Sequence, residues 1–280
     1  MAELSPYPEL EALTAWWEEL GVDVDEAAIR TLLQASEAAS GARPKPPSAR
    51  QDAPATPAGP RPRRPASRTP QNWAQIATEE AAACRSLSEL KDAITAFEGC
   101  PLKANCQSTV VCDGVEGAPI LVIGEGPGQE EDRRGLPFVG KAGQLLDRML
   151  AAIGVAREEN ALTSNVNFWR PPNNRNPEPD ELLVAAPFVN RLIALTAPRL
   201  IIAVGGVSAK ALTGSTNGIM KLRGSEQTFT AQEGEACPLF PIFHPAYLLR
   251  RPKEKPRAWR DLLQIEARAK ALGVTLLNGP

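Results

Sequence analysis

Three polar residues with chemical capacity stand at the carboxyl ends of expected strands: Glu125 after residues 120–123, Asn165 near the end of 161–166, and His244 after 239–243. His244 is the only histidine in the chain. In an open α/β sheet, ligands bind just beyond the carboxyl ends of the strands, where these three residues would stand together. Around Glu125 the chain reads Gly124-Glu-Gly-Pro-Gly, with Gly126, Pro127 and Gly128 in the turn. Glycines there let backbone N–H groups come close to a ligand. Three acids, Glu130, Glu131 and Asp132, follow, and then an aromatic, Phe138, that looks exposed in its Gly/Pro-rich surroundings. The turn is neither G-x-G-x-x-G opening directly into a helix nor G-x-x-x-x-G-K-[ST]. Acids also stand where a phosphate site would need cations, so a dinucleotide site is disfavoured.

The elements that must position these residues can be read from periodicity. Residues 120–123 have the length and β-branching of a buried parallel strand. Residues 144–153 carry Leu145, Leu146, Met149, Leu150 and Ile153 on one helical face. Further strands are expected at 161–166, 199–204 and 239–243, with helices at 180–195, 207–212 and 259–272. Residues 213–237 read as an irregular excursion or hairpin, and residues 100–111 as a loop or strand. Strands alternating with helices predict an α/β fold, three-layer α/β/α, with a four-stranded, mainly parallel central sheet.

Upstream, residues 1–40 suggest two short helices, the first with Leu10, Leu13, Trp17 and Leu20 on one face. So little chain buries little alone; it docks on the main domain or offers a face to a protein partner. Residues 41–72 are rich in Pro, Ala and Arg and read as a disordered linker, with seven basic residues from Arg43 to Arg68 against Asp52. The catalytic domain is expected at 73–280. Within it, Ser86 and Glu89 have capping-box spacing ahead of Leu90, Ile94 and Phe97.

Composition excludes some classes. No apolar run is long enough to cross a membrane. A net charge of −2 does not by itself announce nucleic acid, although a local basic surface could. The five cysteines, at 84, 100, 106, 112 and 237, form no C-x-x-C pair. Their odd number and the absence of an export pattern at the N-terminus argue for reduced thiols and a cytoplasmic protein. All five are expected to be small buried side chains.

Five motifs occur in order: Gly124-Glu-Gly-Pro-Gly; Gly135-Leu-Pro-Phe-Val-Gly-Lys-Ala-Gly143; Asn165 with Arg170-Pro-Pro-x-Asn-Arg-x-Pro177; Leu222-Arg-Gly224; and His244-Pro-Ala-Tyr-Leu-Leu-Arg250. Together they resemble the family 4 uracil-DNA glycosylases, over residues 86–271. The resemblance implies removal of uracil from DNA in base excision repair, leaving an abasic site. A flipped uracil would stack on Phe138 and pair its N3–H and O4 edge with the Asn165 amide. His244, helped by backbone around Gly126 and Pro127, would donate to the charge that develops near O2. Glu125 and Glu131 would stabilise the sugar cation or position water. Tyr247, Leu248, Leu249 and Arg250 would form a wedge and phosphate contact, with Lys141, Arg170, Arg175, Arg251, Lys253 and Lys255 adding phosphate contacts. The partner is uracil-containing DNA, single- or double-stranded, and a monomer is expected.

One departure stands out. Family 4 enzymes hold a [4Fe–4S] cluster on four cysteines; here Phe97, Trp169 and Ala185 replace three of them and only Cys100 remains. Side chains of Phe, Trp and Ala cannot ligate iron, so neither a cluster nor any other metal or cofactor is expected, and aromatic packing would fill the space. The alternatives are a non-catalytic DNA-binding or repair-scaffold protein on the same fold and, more remotely, a hydrolase of free nucleotides.

Overall fold

The computed structural model describes residues 69–230 and 236–277. The two N-terminal helices expected before residue 41 and the linker as far as residue 68 lie outside the described residues. The first described helix, α1 (Pro70–Ala83), begins inside the stretch read as linker. Its start is set locally: Thr69 accepts a hydrogen bond from the Asn72 N–H, and Pro70 takes the first helical position. Helix α2 (Leu87–Ala96) is capped by Ser86, which accepts from the Glu89 N–H; the Glu89 carboxylate turns back to the Arg85 N–H at 2.6 Å. The expected capping box is therefore displaced by one residue on its return bond.

The sheet has six strands in the order β1-β3-β2-β4-β6-β5: β1 (Cys112–Gly114), β2 (Ile120–Gly124), β3 (Ala161–Asn165), β4 (Leu200–Val204), β5 (Gln227–Thr230) and β6 (Ala236–Ile242). Its four inner strands are the four expected, and they run parallel to one another. The expectation of four strands in all is corrected by two antiparallel edges, β1 on β3 and β5 on β6. Both edges are short and lack the apolar runs that mark the inner strands. Full burial of β2, β3 and β4 reflects cover on both faces.

Helix α3 (Gln129–Arg134) follows β2, and α4 (Lys141–Ala151) follows it; α5 (Pro179–Thr196), α6 (Gly206–Thr213), α7 (Ile219–Leu222), α8 (Pro245–Arg250) and α9 (Lys255–Ala271) complete the described helices. Leu121, Ile123, Ile201 and Ala203 share one core with Leu90 and Ile94 of α2 and Val184 and Phe188 of α5. Their strand neighbours Ile120, Val122, Ile202 and Val204 point to the opposite face, because successive side chains of a strand alternate. There α9 packs on β6 and α8 packs on α4. The result is three layers, α/β/α. The three acids Glu130, Glu131 and Asp132 are helical in α3, with Asp132 buried and accepting from the N–H groups of Gln107 and Ser108 at 2.8 and 3.0 Å.

Candidate active site

Strand β2 lies between β3 on one side and β4 on the other, so the chain leaves it in both directions and a crevice opens at its carboxyl end. A cavity of about 490 Å³ occupies that crevice, lined among others by Glu125, Phe138, Asn165 and His244. The in-register pairing of Gly124 with Asn165 puts the amide directly beside the glycine turn.

Gly124 is where the aromatic and the amide meet. A β-carbon at this position would collide with Phe138 Cζ and lie 2.6 Å from Asn165 Oδ1. The missing side chain thus leaves space for a ring and an amide to form a corner over the backbone. Phe138 is 7% exposed, so the expectation of an exposed aromatic is corrected: it is a buried wall of the cavity. Its φ of +55° is unusual for a bulky residue. Asn165 is buried, and its side chain makes no hydrogen bond within the protein among the described residues. A buried amide without protein partners retains both its donor and its acceptor for a ligand.

His244 enters from β6, two strands away from β2 or roughly 10 Å. Between them β4 ends in Gly205, whose φ is +94°. A β-carbon on Gly205 would stand 3.2 and 3.3 Å from His244 Cβ and Cδ2, so the bare glycine leaves room for the imidazole. His244 caps α8, its Nδ1 accepting from the Ala246 N–H at 3.1 Å. In the neutral ring the proton must therefore sit on Nε2. Burial, followed by the charge of Arg250, lowers the imidazole pKa to about 4, against a smaller opposing pull from Glu131. The ring is a neutral Nε2–H donor at physiological pH.

The two acids differ. Glu125 lines the cavity with its carboxylate unpaired among the described residues, and burial raises its pKa. Glu131 is tied to backbone: one oxygen accepts from the N–H groups of Val139 and Gly140 at 3.0 and 2.8 Å, the other from Gly128 at 3.1 Å. It joins the glycine turn to the Phe138 loop. Gly126 and Pro127 line the cavity, with Gly126 against the buried amide of Asn167.

The expected DNA contacts separate in the same way. Lys141, at the start of α4, is exposed and lines the cavity. Arg175 also lines it, with its guanidinium forked onto Glu181 at 2.6 and 2.9 Å. Arg170 is tethered to Asn174 at 2.7 Å. Leu248 is 1% exposed and belongs to the core, whereas Leu249 is 47% exposed. Tyr247 leans on Phe243, ring centroids 5.0 Å apart. Burial of Leu248 corrects its expected place in a wedge; Tyr247 is half-buried, and Leu249 is exposed next to Arg250, which lines the cavity.

The cluster positions can be tested on their donor set. Phe97 packs edge-on against Trp73 and Phe188, at 5.7 and 5.0 Å, and tilted against Trp169 at 6.3 Å. Trp169 is completely buried, as is Ala185, and the indole N–H donates to Thr109 at 3.2 Å. Cys100, buried with its pKa pushed up to about 11, is the one thiol at those positions. Cys106 directs its thiol to the carbonyls of Leu102 and Arg170. These residues do not fit an iron–sulfur cluster, which needs thiolates.

Some site residues carried no sequence signal strong enough to single them out. Asn167 lies two places after Asn165, and Gly205 opens a Gly-Gly pair after an apolar run; both were visible only as spacing. Arg157, in a polar turn, had no signal at all.

This is a doubly wound α/β/α protein with a cleft at the switch point of its sheet. The family model of the uracil DNA glycosylase superfamily matches residues 113–263. The type-4 uracil-DNA glycosylase of Thermotoga maritima is 39% identical over 152 residues, 54% of this chain and 77% of that protein. That of Saccharolobus solfataricus is 35% identical over 198 residues, 69% of this chain and 91% of that one. The Sulfurisphaera tokodaii enzyme of the same name is 33% identical over 184 residues, covering 64% and 83%. The chain belongs to the uracil DNA glycosylase superfamily.

Proposed function

We propose that the protein is a monofunctional uracil-DNA glycosylase that acts without an iron–sulfur cluster. The observation that carries this reading is the corner over Gly124, where the Phe138 ring and the unpartnered Asn165 amide meet in one cavity with a neutral imidazole. A flipped uracil lays its face on Phe138 and gives its N3–H to Asn165 Oδ1 while O4 accepts from Nδ2. The bond between N1 and the sugar C1′ breaks with its electron pair going to the base. The resulting charge, concentrated near O2, is met by the His244 Nε2–H. The sugar becomes an oxocarbenium-like cation, and Glu125, unpaired, stabilises it and orients a water. Water adds to C1′ through its oxygen and the proton it releases ends on the uracil anion, leaving free uracil and an abasic site. Glu131 acts by position only, holding the glycine turn and the Phe138 loop together.

Lys141 and Arg250 contact phosphates, and Leu249 fills the space the base leaves. The substrate is uracil-containing DNA, the protein works as a cytoplasmic monomer, and residues 1–40 serve a partner through the basic linker. The test is alkali-revealed scission of an oligonucleotide with one uracil, single-stranded and duplex, with iron and sulfide analysis of anaerobically purified protein. Cleavage lost in Asn165→Ala and His244→Ala, with no stoichiometric iron, is the expected result. DNA binding without cleavage by folded protein would favour the scaffold reading, and stoichiometric iron and sulfide would overturn the cluster-free one.

A further inference from the structure

Phe138 needs an explanation that the cavity does not supply. A bulky residue at φ +55° carries backbone strain and persists only where its surroundings over-determine it. One restraint is Gly143, which the Phe138 carbonyl approaches so closely that no β-carbon could fit. The other is Arg157. Its guanidinium is largely buried and donates to the carbonyls of both Pro137 and Phe138, at 3.0 and 3.1 Å. The same group is gripped by Asp147 of α4, at 2.6 Å from Nη2 and 3.1 Å from Nε, and by Asp113 of β1, at 2.9 Å from Nη1. A planar fork held by two carboxylates cannot swing, so the two carbonyls it holds are fixed relative to the sheet edge and to α4.

We propose that Arg157 is a positioning residue that sets base selectivity: by clamping the carbonyls of Pro137 and Phe138 it fixes the Phe138 ring over Gly124 and so sets the width of the slot beside Asn165. Arg157 does not line the cavity; it acts through the loop it holds. Releasing the clamp lets the backbone at 137–138 relax from its strained conformation, and the ring withdraws from the amide. Grip on the base should then be lost while grip on the DNA backbone, through Lys141 and Arg250, is kept.

This rests on the glycosylase reading, and the experiment separates the two. Arg157→Lys keeps the charge but loses the fork; Asp147→Asn leaves the arginine and loosens its hold, and serves if the lysine variant does not fold. Inhibition by free uracil reports the base slot, and binding of an oligonucleotide bearing a non-cleavable abasic analogue reports the backbone contacts. The expected result is at least a tenfold weaker uracil inhibition and a similar loss in kcat/KM, with abasic-DNA affinity within about twofold of wild type. Discrimination between uracil and thymine should fall in the same variants. Unchanged uracil inhibition in a folded variant would overturn the proposal, as would parallel loss of uracil and abasic-DNA binding, the signature of a purely structural role. A wild-type protein that neither binds nor releases uracil would instead bring down the glycosylase reading, and this inference with it.

Discussion

His244 should resist protonation far below the ordinary imidazole range, and because it is the only histidine, its ring signals report on it without assignment. Burial comes first among the causes, with Arg250 second, and together they bring the pKa from its usual 6.5 to about 4. The Ala246 N–H directed at Nδ1 adds a geometric reason, since a proton on that nitrogen would face a donor. The unfolded chain takes up the proton near 6.5 and the folded one near 4, so between these values the unfolded state binds more protons and stability falls as pH falls. The full stability contribution is present above 6.5; the loss on acidification to 4 amounts to about 3 kcal/mol. The assay is a proton and nitrogen-15 NMR titration of the imidazole from pH 8 to 4.5, together with urea unfolding across the same range in wild type and His244→Gln. The ring should hold its shifts down to about pH 5, with nitrogen shifts marking the Nε2–H form, and the wild type should lose more stability than the variant on acidification. A midpoint near 6.5 would refute the argument, because His244 would then be a solvated imidazole and a charged one in weak acid.

Gly205→Ala should place a methyl group against the His244 ring at a backbone conformation that costs an L-residue about 1–3 kcal/mol, giving that loss in urea unfolding and at least a tenfold fall in kcat. An unchanged kcat would mean that the imidazole has more room than the contacts allow. Leu249→Ala, at an exposed position, should change stability by less than about 0.5 kcal/mol yet weaken activity on duplex more than on single-stranded uracil DNA; equal effects on both would remove the wedge role. Phe97→Ala should cost about 3–5 kcal/mol, measured by denaturant unfolding, since it empties the centre of the aromatic group; a loss under 1 kcal/mol would show that this group is not what holds the corner.

How much could be read beforehand followed from how local each signal was. Strands β2 and β4 announced themselves because burial on both faces leaves unbroken apolar runs, as in residues 200–204. The edges did not: β1 is Cys-Asp-Gly, and β5 alternates buried and exposed over four residues, too short for a period. Asn165 and His244 were legible as polar residues at strand ends. Phe138 was misjudged in its exposure because Gly and Pro around it suggested an open loop, whereas tertiary contacts with Gly124 and Gly143 bury it. The partners of Glu131 and Arg175, three backbone N–H groups and Glu181, were not legible, because each pairing depends on how the loops fold back. Leu248 and Leu249 are indistinguishable in sequence, and the helical turn of α8 sends one inward and the other out.

The corner around Phe97 shows how a loop can be anchored without metal. The segment after β3 must pass from the sheet edge to α5 while presenting Pro171, Asn174 and Asn176 to the cavity. A metal cluster would do this with a few strong bonds at one point. Here the restraint is distributed: Trp169 is sunk in the core, Arg170 is held by Asn174, and Arg175 is forked onto Glu181 at the start of α5. Asn173 and Asn174 take left-handed backbone conformations that asparagine tolerates better than most residues. None of these groups is redox-active or exchangeable, and none of them supplies an atom to the Phe138–Asn165 corner. The loop is therefore anchored by packing and hydrogen bonds that lie apart from Glu125, Phe138, Asn165 and His244, which share one cavity.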